Sequence, residues 1–402
     1  RRELIAALNN GVPSSTSPSN PSNTPKIVRV QGTIDLNVDD ENQPLDCADY
    51  FRPDPMTGEM FSYEAFEAAF DPNGPWGRVN PSGPQERARV ASAAAQQARV
   101  RIRPGSNTTI IGDGKDATLK GIWTDIRGTA NIPDSRTSII VRNLSFVDTA
   151  DCFPQWAPND GALGSWNALY DSISLRDTNN VWVDHNRFED VETADASLPK
   201  RFGVLFQVHD GLLDITNASD LVTVSWNEFR NHDKVMLIGS SDNAPADVGK
   251  LRVTLHHNLF EALGQRVPRV RFGQVHLYNN YYKICATPNY GYSWGLGLQS
   301  QIYAEENFFL LDTRAIAPAR IISRFNGTNI HAGGSLVTVT PRPRDVDLVA
   351  EYNAVNDPDL VPTVAWAPTL FRNLHSAHAV PLRVILLAGP VAFRPPVLGC
   401  PR

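Results

Sequence analysis

From about residue 107 the polar and apolar positions alternate in short runs with no helical stretch between them. In each run an Asn stands two residues before an aromatic: Asn186/Phe188, Asn227/Phe229, Asn258/Phe260, Asn280/Tyr282 and Asn307/Phe309. The steps between these Asn residues are 41, 31, 22 and 27. The shortest is one coil of a solenoid, and the longer ones are coils carrying loop insertions such as 189–203 and 241–250. Short strands at such a period predict a parallel β-helix. Stacked coils place like residues above one another. Each Asn amide can then donate to the Asn or backbone of the next coil while the aromatics stack inside. These Asn and aromatic residues are read as structural.

A coil cannot bury its apolar face alone, so the ends need caps. Residues 2–9 (RELIAALN) read as a short helix, stopped by Gly11 and Pro13. SYEAFEAAF and ERARVASAAAQQARV read as two more, and VDLVAEYNAVNDPDLV is the candidate cap at the far end. The expected organisation is one domain over 1–402. Residues 1–106 form the N-terminal cap and first strands, 107–310 the core coils with the groove, and 311–402 the last coils and C-terminal cap.

A second series of strands precedes the Asn strands: DSISL, GLLDIT, KVMLIG and RVRF. If they stack in one sheet, Asp171, Asp210, Asp214, Lys234, Arg266 and Arg271 line one groove, because neighbouring strands lie only about 4.8 Å apart. Alone, an Asp-x-x-x-Asp such as 210/214 is usually solvated surface, and so are isolated arginines. Together, an all-oxygen acidic set suits a hard cation such as calcium, and the lysine and arginines beside it suit an anionic substrate. Lys250, Asp242 and Asp247 share a loop where a further ion site is conceivable. His209 and His232 read as surface or hydrogen-bonded packing.

Composition narrows this reading. Of the 402 residues 42% are hydrophobic and 20% charged, and the net charge is −6. A negative molecule does not draw nucleic acid to itself, so any grip on a polyanion must be local. No apolar run is long enough to cross a membrane, and the first residues lack a signal-peptide core. We therefore expect neither a nucleic-acid nor a membrane partner, and a monomer. Cys47, Cys152, Cys285 and Cys400 contain no CxxC pair, which disfavours zinc. They allow three disulfide pairings, among which the sequence does not choose. Two disulfides in an exported protein are preferred over free thiols.

Several motifs resemble the pectate lyases of polysaccharide lyase family one: VWVDHNRF, DGLLDITNASDLVTVSWNEF, HDKVMLIGSSDN and QRVPRVRFGQVHLYNNYY, preceded by PKIVRVQGTID, NTTIIG and FPQWAPNDGALGSWNALYDSISL. The resemblance runs over roughly residues 24–310. It implies an all-β, right-handed parallel β-helix and a secreted, calcium-dependent enzyme. Such an enzyme cleaves α-1,4-linked polygalacturonate by β-elimination to 4,5-unsaturated products. It further implies Asp171, Asp210 and Asp214 as ligands of Ca2+, Lys234 and Arg271 as substrate ligands that also assist catalysis, and Arg266 as the base. Asp160 would help to hold an additional calcium once substrate is bound. Asp184 and His185 are read as structural, since they lie with the Asn strands. Arginine is normally always charged, so a base at Arg266 needs cationic neighbours and predicts an alkaline optimum.

Three rivals remain at this stage. A calcium-independent pectin lyase would not need the three aspartates. A non-catalytic polysaccharide-binding β-helix would not need Lys234 and Arg266. A hydrolytic polygalacturonase would need clustered carboxylates for acid–base work.

Overall fold

The computed structural model describes residues 1–9, 22–130, 132, 135–284, 289–311, 316–339 and 342–390. Three sheets run side by side along its length, with eight, nine and ten strands. Each turn of chain contributes one strand to each sheet, and pairing between successive turns is parallel. This is the parallel β-helix expected. Alternation along each strand sets which face is buried: Thr108–Gly112 alternates buried and half-buried positions, and Asp220–Ser225 keeps Val222 and Val224 inside. Backbone groups are satisfied between coils, so the fold depends on stacking and not on helix propensity.

The Asn ladder forms as predicted at the corner between the nine- and ten-stranded sheets. Asn186 Nδ2 donates to Asn227 Oδ1 at 3.1 Å, Asn227 to Asn258 at 3.1 Å, Asn258 to Asn280 at 3.0 Å and Asn280 to Asn307 at 3.2 Å. The residue before each ladder Asn turns the chain in the left-handed region, as at His185 (φ 53) and Trp226 (φ 54). Behind the ladder the aromatics stack in register, with ring centroids 4.9 Å apart for Phe188–Phe229, 5.2 Å for Phe229–Phe260 and 4.3 Å for Tyr282–Phe309. Such pairs add about 0.5–1.5 kcal/mol each beyond area burial.

Both ends of this core are closed. Helix α1 (Arg2–Leu8) places Leu4, Ile5 and Leu8 in the same apolar cluster as Val28 and Val30. Helices α2 (Tyr63–Phe70) and α3 (Pro84–Val100) do not join that cluster. Phe66, Phe70 and Ala88 pack instead with Phe153, Trp156, Trp166 and Phe206 in a lateral aromatic layer. Helix α4 (Leu348–Asn353), capped by Asp347, buries Leu348, Val349 and Tyr352 at the far end, where VDLVAEYN was expected to close the solenoid. Helix α5 (Val380–Leu387) lies outside, against Leu259, Tyr281, Phe308 and Leu336 of the ten-stranded sheet.

Cys47 and Cys152 form a disulfide that ties the lateral layer to the coils. Cys285 and Cys400 lie outside the described residues. No helix among the described residues is long and apolar enough to cross a membrane.

Candidate active site

The eight-stranded sheet carries the second strand series: Ile173–Arg176, Leu213–Thr216, Leu237–Ile238 and Arg269–Val270 are consecutive neighbours. Ser174 pairs with Asp214 and Leu237 with Arg269. Asp214 therefore shares a transverse row with Ser174, Leu237 and Arg269, while Asp171 and Asp210 stand just before the first two strands.

Lys234 departs from the expectation that KVMLIG is one groove strand. It is the last residue of Glu228–Lys234 in the ten-stranded sheet, paired with Gln265, and the groove strand begins only at Leu237. The chain turns a corner at Val235 and Met236, both fully buried. Lys234 nonetheless reaches the groove from that corner. Its Nζ donates to Asp210 Oδ1 at 3.3 Å.

The three aspartates sit around Gly211. Its N–H donates to Asp171 Oδ1 at 2.9 Å, and the N–H of Leu237 donates to Asp214 Oδ1 at 2.9 Å. Ser174 Oγ donates to the other Asp171 oxygen and itself receives the Trp123 indole N–H at 2.8 Å. A Cβ at position 211 would fall 2.6 Å from Asp214 Oδ1 and 2.8 Å from Asp171 Oδ1. Only glycine leaves room for both oxygens. Burial, then the charge of Asp210, pushes the Asp171 carboxyl up to about 7. Burial, then Asp171, pushes Asp214 well above the carboxylate range. Two carboxylates this close, one buried and one half-buried, disfavour each other's ionisation, which leaves a place where added positive charge is stabilising.

Each of the three acids is held by protein donors. Among the described residues no three His, Cys, Asp or Glu side chains form a ready cation cage. The donor set itself, all carboxylate oxygen with buried negative charge in excess, fits a hard divalent cation better than a soft one.

Arg271 donates from Nε to Asp242 Oδ1 at 2.7 Å and from Nη1 to the Gly239 carbonyl at 2.9 Å. Asp242 is thereby committed, and Asp247 accepts from the Ala218 N–H at 2.6 Å, so the 241–250 loop does not gather its acids. Arg266 stands at φ 59, and among the described residues it makes no ion pair; its Nε is buried without a hydrogen-bond partner. Asp160 is exposed in the turn between Gln155–Ala157 and Ser165–Asn167, a turn held by Arg78 on the carbonyls of Pro158, Gly161 and Ala162. No hydrogen bond or ion pair joins Asp160 to the other three acids among the described residues.

Sequence reasoning missed part of the support. His232 is buried, its Nδ1 2.7 Å from Asp190 Oδ2 and its Nε2 2.9 Å from the Asp210 carbonyl. Burial disfavours its charge, but Asp190 outweighs that and raises it to about 9. An imidazolium donating from both nitrogens thus pins the backbone of Asp210. His209 lies between the Thr149 and Thr193 carbonyls. The adjacency of each histidine to an aspartate, HD twice, was the available signal. Asp184 and His185 belong to the nine-stranded side, where Asp184 pairs with Arg142 at 3.2 Å. A cavity of about 510 Å³ between that side and Phe371–His375 contains none of the predicted site residues.

Comparison with known proteins identifies the family and supports the fold. A pectate lyase family model matches residues 81–354. The chain belongs to the pectate lyase family. A pectate lyase from Bacillus subtilis (strain 168) is 38% identical over 97% of this chain and 85% of its own length. Pectate lyase E from Dickeya dadantii (strain 3937) is 39% identical over 60% of this chain and 59% of its own length. Among solved structures, a thermostable pectate lyase superposes with a TM-score of 0.86 at 45% identity, covering 92% of this chain and 86% of that one. A pectate lyase bound to a hexasaccharide superposes at 0.82 with 37% identity, covering 93% and 88%. The protein is a polysaccharide lyase of the pectate-cleaving kind.

Proposed function

We propose that this lyase is secreted and calcium-dependent, and that it cleaves α-1,4-linked polygalacturonate by β-elimination at Asp171, Asp210, Asp214, Lys234, Arg266 and Arg271. The observation that carries the reading is the pair of carboxylates, Asp171 buried and Asp214 half-buried, crowded against Gly211 with their charged forms disfavoured. An uncharged ester neither needs nor repays such a site, which argues against the pectin-lyase alternative. The disulfide between Cys47 and Cys152 supports an oxidising, extracellular setting.

Asp171, Asp210 and Asp214 would hold the calcium, with Asp160 available for an additional ion once substrate lies in the groove. When bound, calcium would draw electron density from the substrate carboxylate and acidify the proton at C5. Lys234, at the lip of the groove, would free Asp210 to join Asp171 and Asp214 as a ligand and turn its ammonium to the substrate carboxylate, where negative charge builds as the proton leaves. Arg266, uncommitted to any carboxylate among the described residues, would accept that proton as the neutral guanidine, having first given its own proton to solvent at alkaline pH. The C4–O bond then breaks, and the C4–C5 double bond forms in the new non-reducing end. Arg271 anchors the substrate, held in orientation by Asp242.

The test is the ultraviolet absorbance of the unsaturated uronate formed on polygalacturonate, with calcium and then with excess EDTA. Product formation that chelation leaves intact would overturn the metal site.

A further inference from the structure

Arg269 is the arginine of this groove that the mechanism leaves unused. Lys234 is paired with Asp210 and Arg271 with Asp242. Arg269 makes no ion pair among the described residues, and its Nε is buried without a hydrogen-bond partner. It is nevertheless fixed. Its guanidinium carbon lies 3.9 Å from the centroid of the Phe325 ring, and the Tyr292 ring stands 5.1 Å from that of Phe325. The stem of Arg269 and the Tyr292 ring both lie over Gly295, the partner of Arg269 in the next coil. A Cβ there would come within 2.7 Å of Tyr292 Cε2 and 3.0 Å of Arg269 Cγ. Burial, then the nearby charge of Arg271, lowers the pKa of Arg269. A planar cation that is half-buried, stacked and short of a counter-ion is arranged to receive a carboxylate in the plane of its open edge.

Its place on the sheet says which carboxylate. The row runs Asp214, Leu237, Arg269, Gly295. Arg269 is thus two strands from Asp214, roughly 10 Å along the solenoid axis. That is too far for the uronate engaged at Asp171 and Asp214. We propose that Arg269, stacked on Phe325 beside Tyr292, forms a separate uronate subsite that makes the enzyme select an unesterified sugar away from the cleaved bond. The inference rests on the groove taking polygalacturonate, and it assigns Arg269 to substrate selection and not to chemistry.

The experiment compares wild type, Arg269→Gln, Arg269→Lys and Phe325→Leu on polygalacturonate and on pectin of graded methyl-esterification, with thermal unfolding of each variant alongside. The expected result for Arg269→Gln is a KM on polygalacturonate raised about 10- to 100-fold, the loss of one charge-assisted contact, with kcat changed little. Its preference for pectate over esterified pectin should fall by a similar factor. Arg269→Lys, which keeps the charge without the flat stacking edge, should retain part of the preference, and Phe325→Leu should lose part of it. An Arg269→Gln variant that loses activity equally on both substrates, or through kcat alone, overturns the subsite. If Arg269→Gln does not fold, an Arg269→Lys or Phe325→Leu variant with unchanged preference overturns it equally. Wild type that forms no unsaturated product from polygalacturonate overturns the reading of the groove itself, and with it the subsite.

Discussion

Replacing Asn258 by alanine removes four buried contacts at the centre of the ladder. Asn258 Nδ2 donates to the Val224 carbonyl at 2.9 Å and to Asn280 Oδ1 at 3.0 Å. Its Oδ1 accepts from the backbone N–H of Asn227 at 2.9 Å and from the Asn227 amide at 3.1 Å. The corner is sealed, with Asn227, Asn258 and Asn280 all fully buried, so water does not replace what is lost. Two donors, both of Asn227, are orphaned. At about 1–3 kcal/mol for each unsatisfied buried group, the cost of two is about 2–6 kcal/mol, a large part of a typical stability of about 5–15 kcal/mol. Asn186 supplies the internal control. Among the described residues its Oδ1 accepts one bond, from the Leu144 N–H at 3.1 Å. Asn186→Ala therefore orphans one donor and should cost about 1–3 kcal/mol. Urea unfolding followed by circular dichroism reads both variants against wild type. If Asn258→Ala costs no more than Asn186→Ala, the ladder is not held by reciprocal amide bonds and the reasoning fails.

Two further outcomes follow from the site and from the opposite face. Gly211→Ala needs no change of backbone region, but its methyl group displaces Asp171 and Asp214. Calcium affinity, read as the metal-induced rise in melting temperature, should fall about 10- to 100-fold, while the metal-free melting temperature changes little. Unchanged affinity would contradict the placement of the cation. On the nine-stranded side, His256 and His257 have ring nitrogens 2.9 Å apart, and His257 is 3.0 Å from His375. Burial first, and then for His257 the neighbouring histidines, depress them to about 4 and about 3. The unfolded chain takes up these protons at a higher pH than the folded one. Their contribution to stability is thus present above about pH 6.5 and is lost as pH falls towards 4 and 3. His257→Gln should flatten the acid limb of melting temperature against pH, and an unchanged limb would exclude the cluster as its cause.

The parts of this molecule legible in its sequence are those that repetition writes twice. Asn186 through Asn307 and their aromatics recur because each coil must meet the next with the same side chain, so the ladder, the stacked interior and the need for end caps all follow from spacing. The strand series bearing Asp214 and Arg269 was legible for the same reason. Lys234 was assigned to the wrong sheet because the corner at Val235–Met236 is as apolar as a strand and carries no Gly or Pro to mark the bend. Helices α2 and α3 read as a cap because amphipathicity shows that a face is buried, not against what. The Cys47–Cys152 bond joins residues 105 apart, which no local pattern encodes. Phe325 under Arg269 was invisible because the pair meets only through the stacking of separate coils.

The measurement that bears most directly on the account is the formation of unsaturated uronate from polygalacturonate at alkaline pH, followed through calcium addition, EDTA and calcium again. Asp171, Asp210 and Asp214 as the metal ligands predict absorbance that rises with calcium, stops with chelation and resumes on restoration, and that Asp214→Asn does not show. A rise indifferent to EDTA, or one that survives Asp214→Asn, would contradict the central claim.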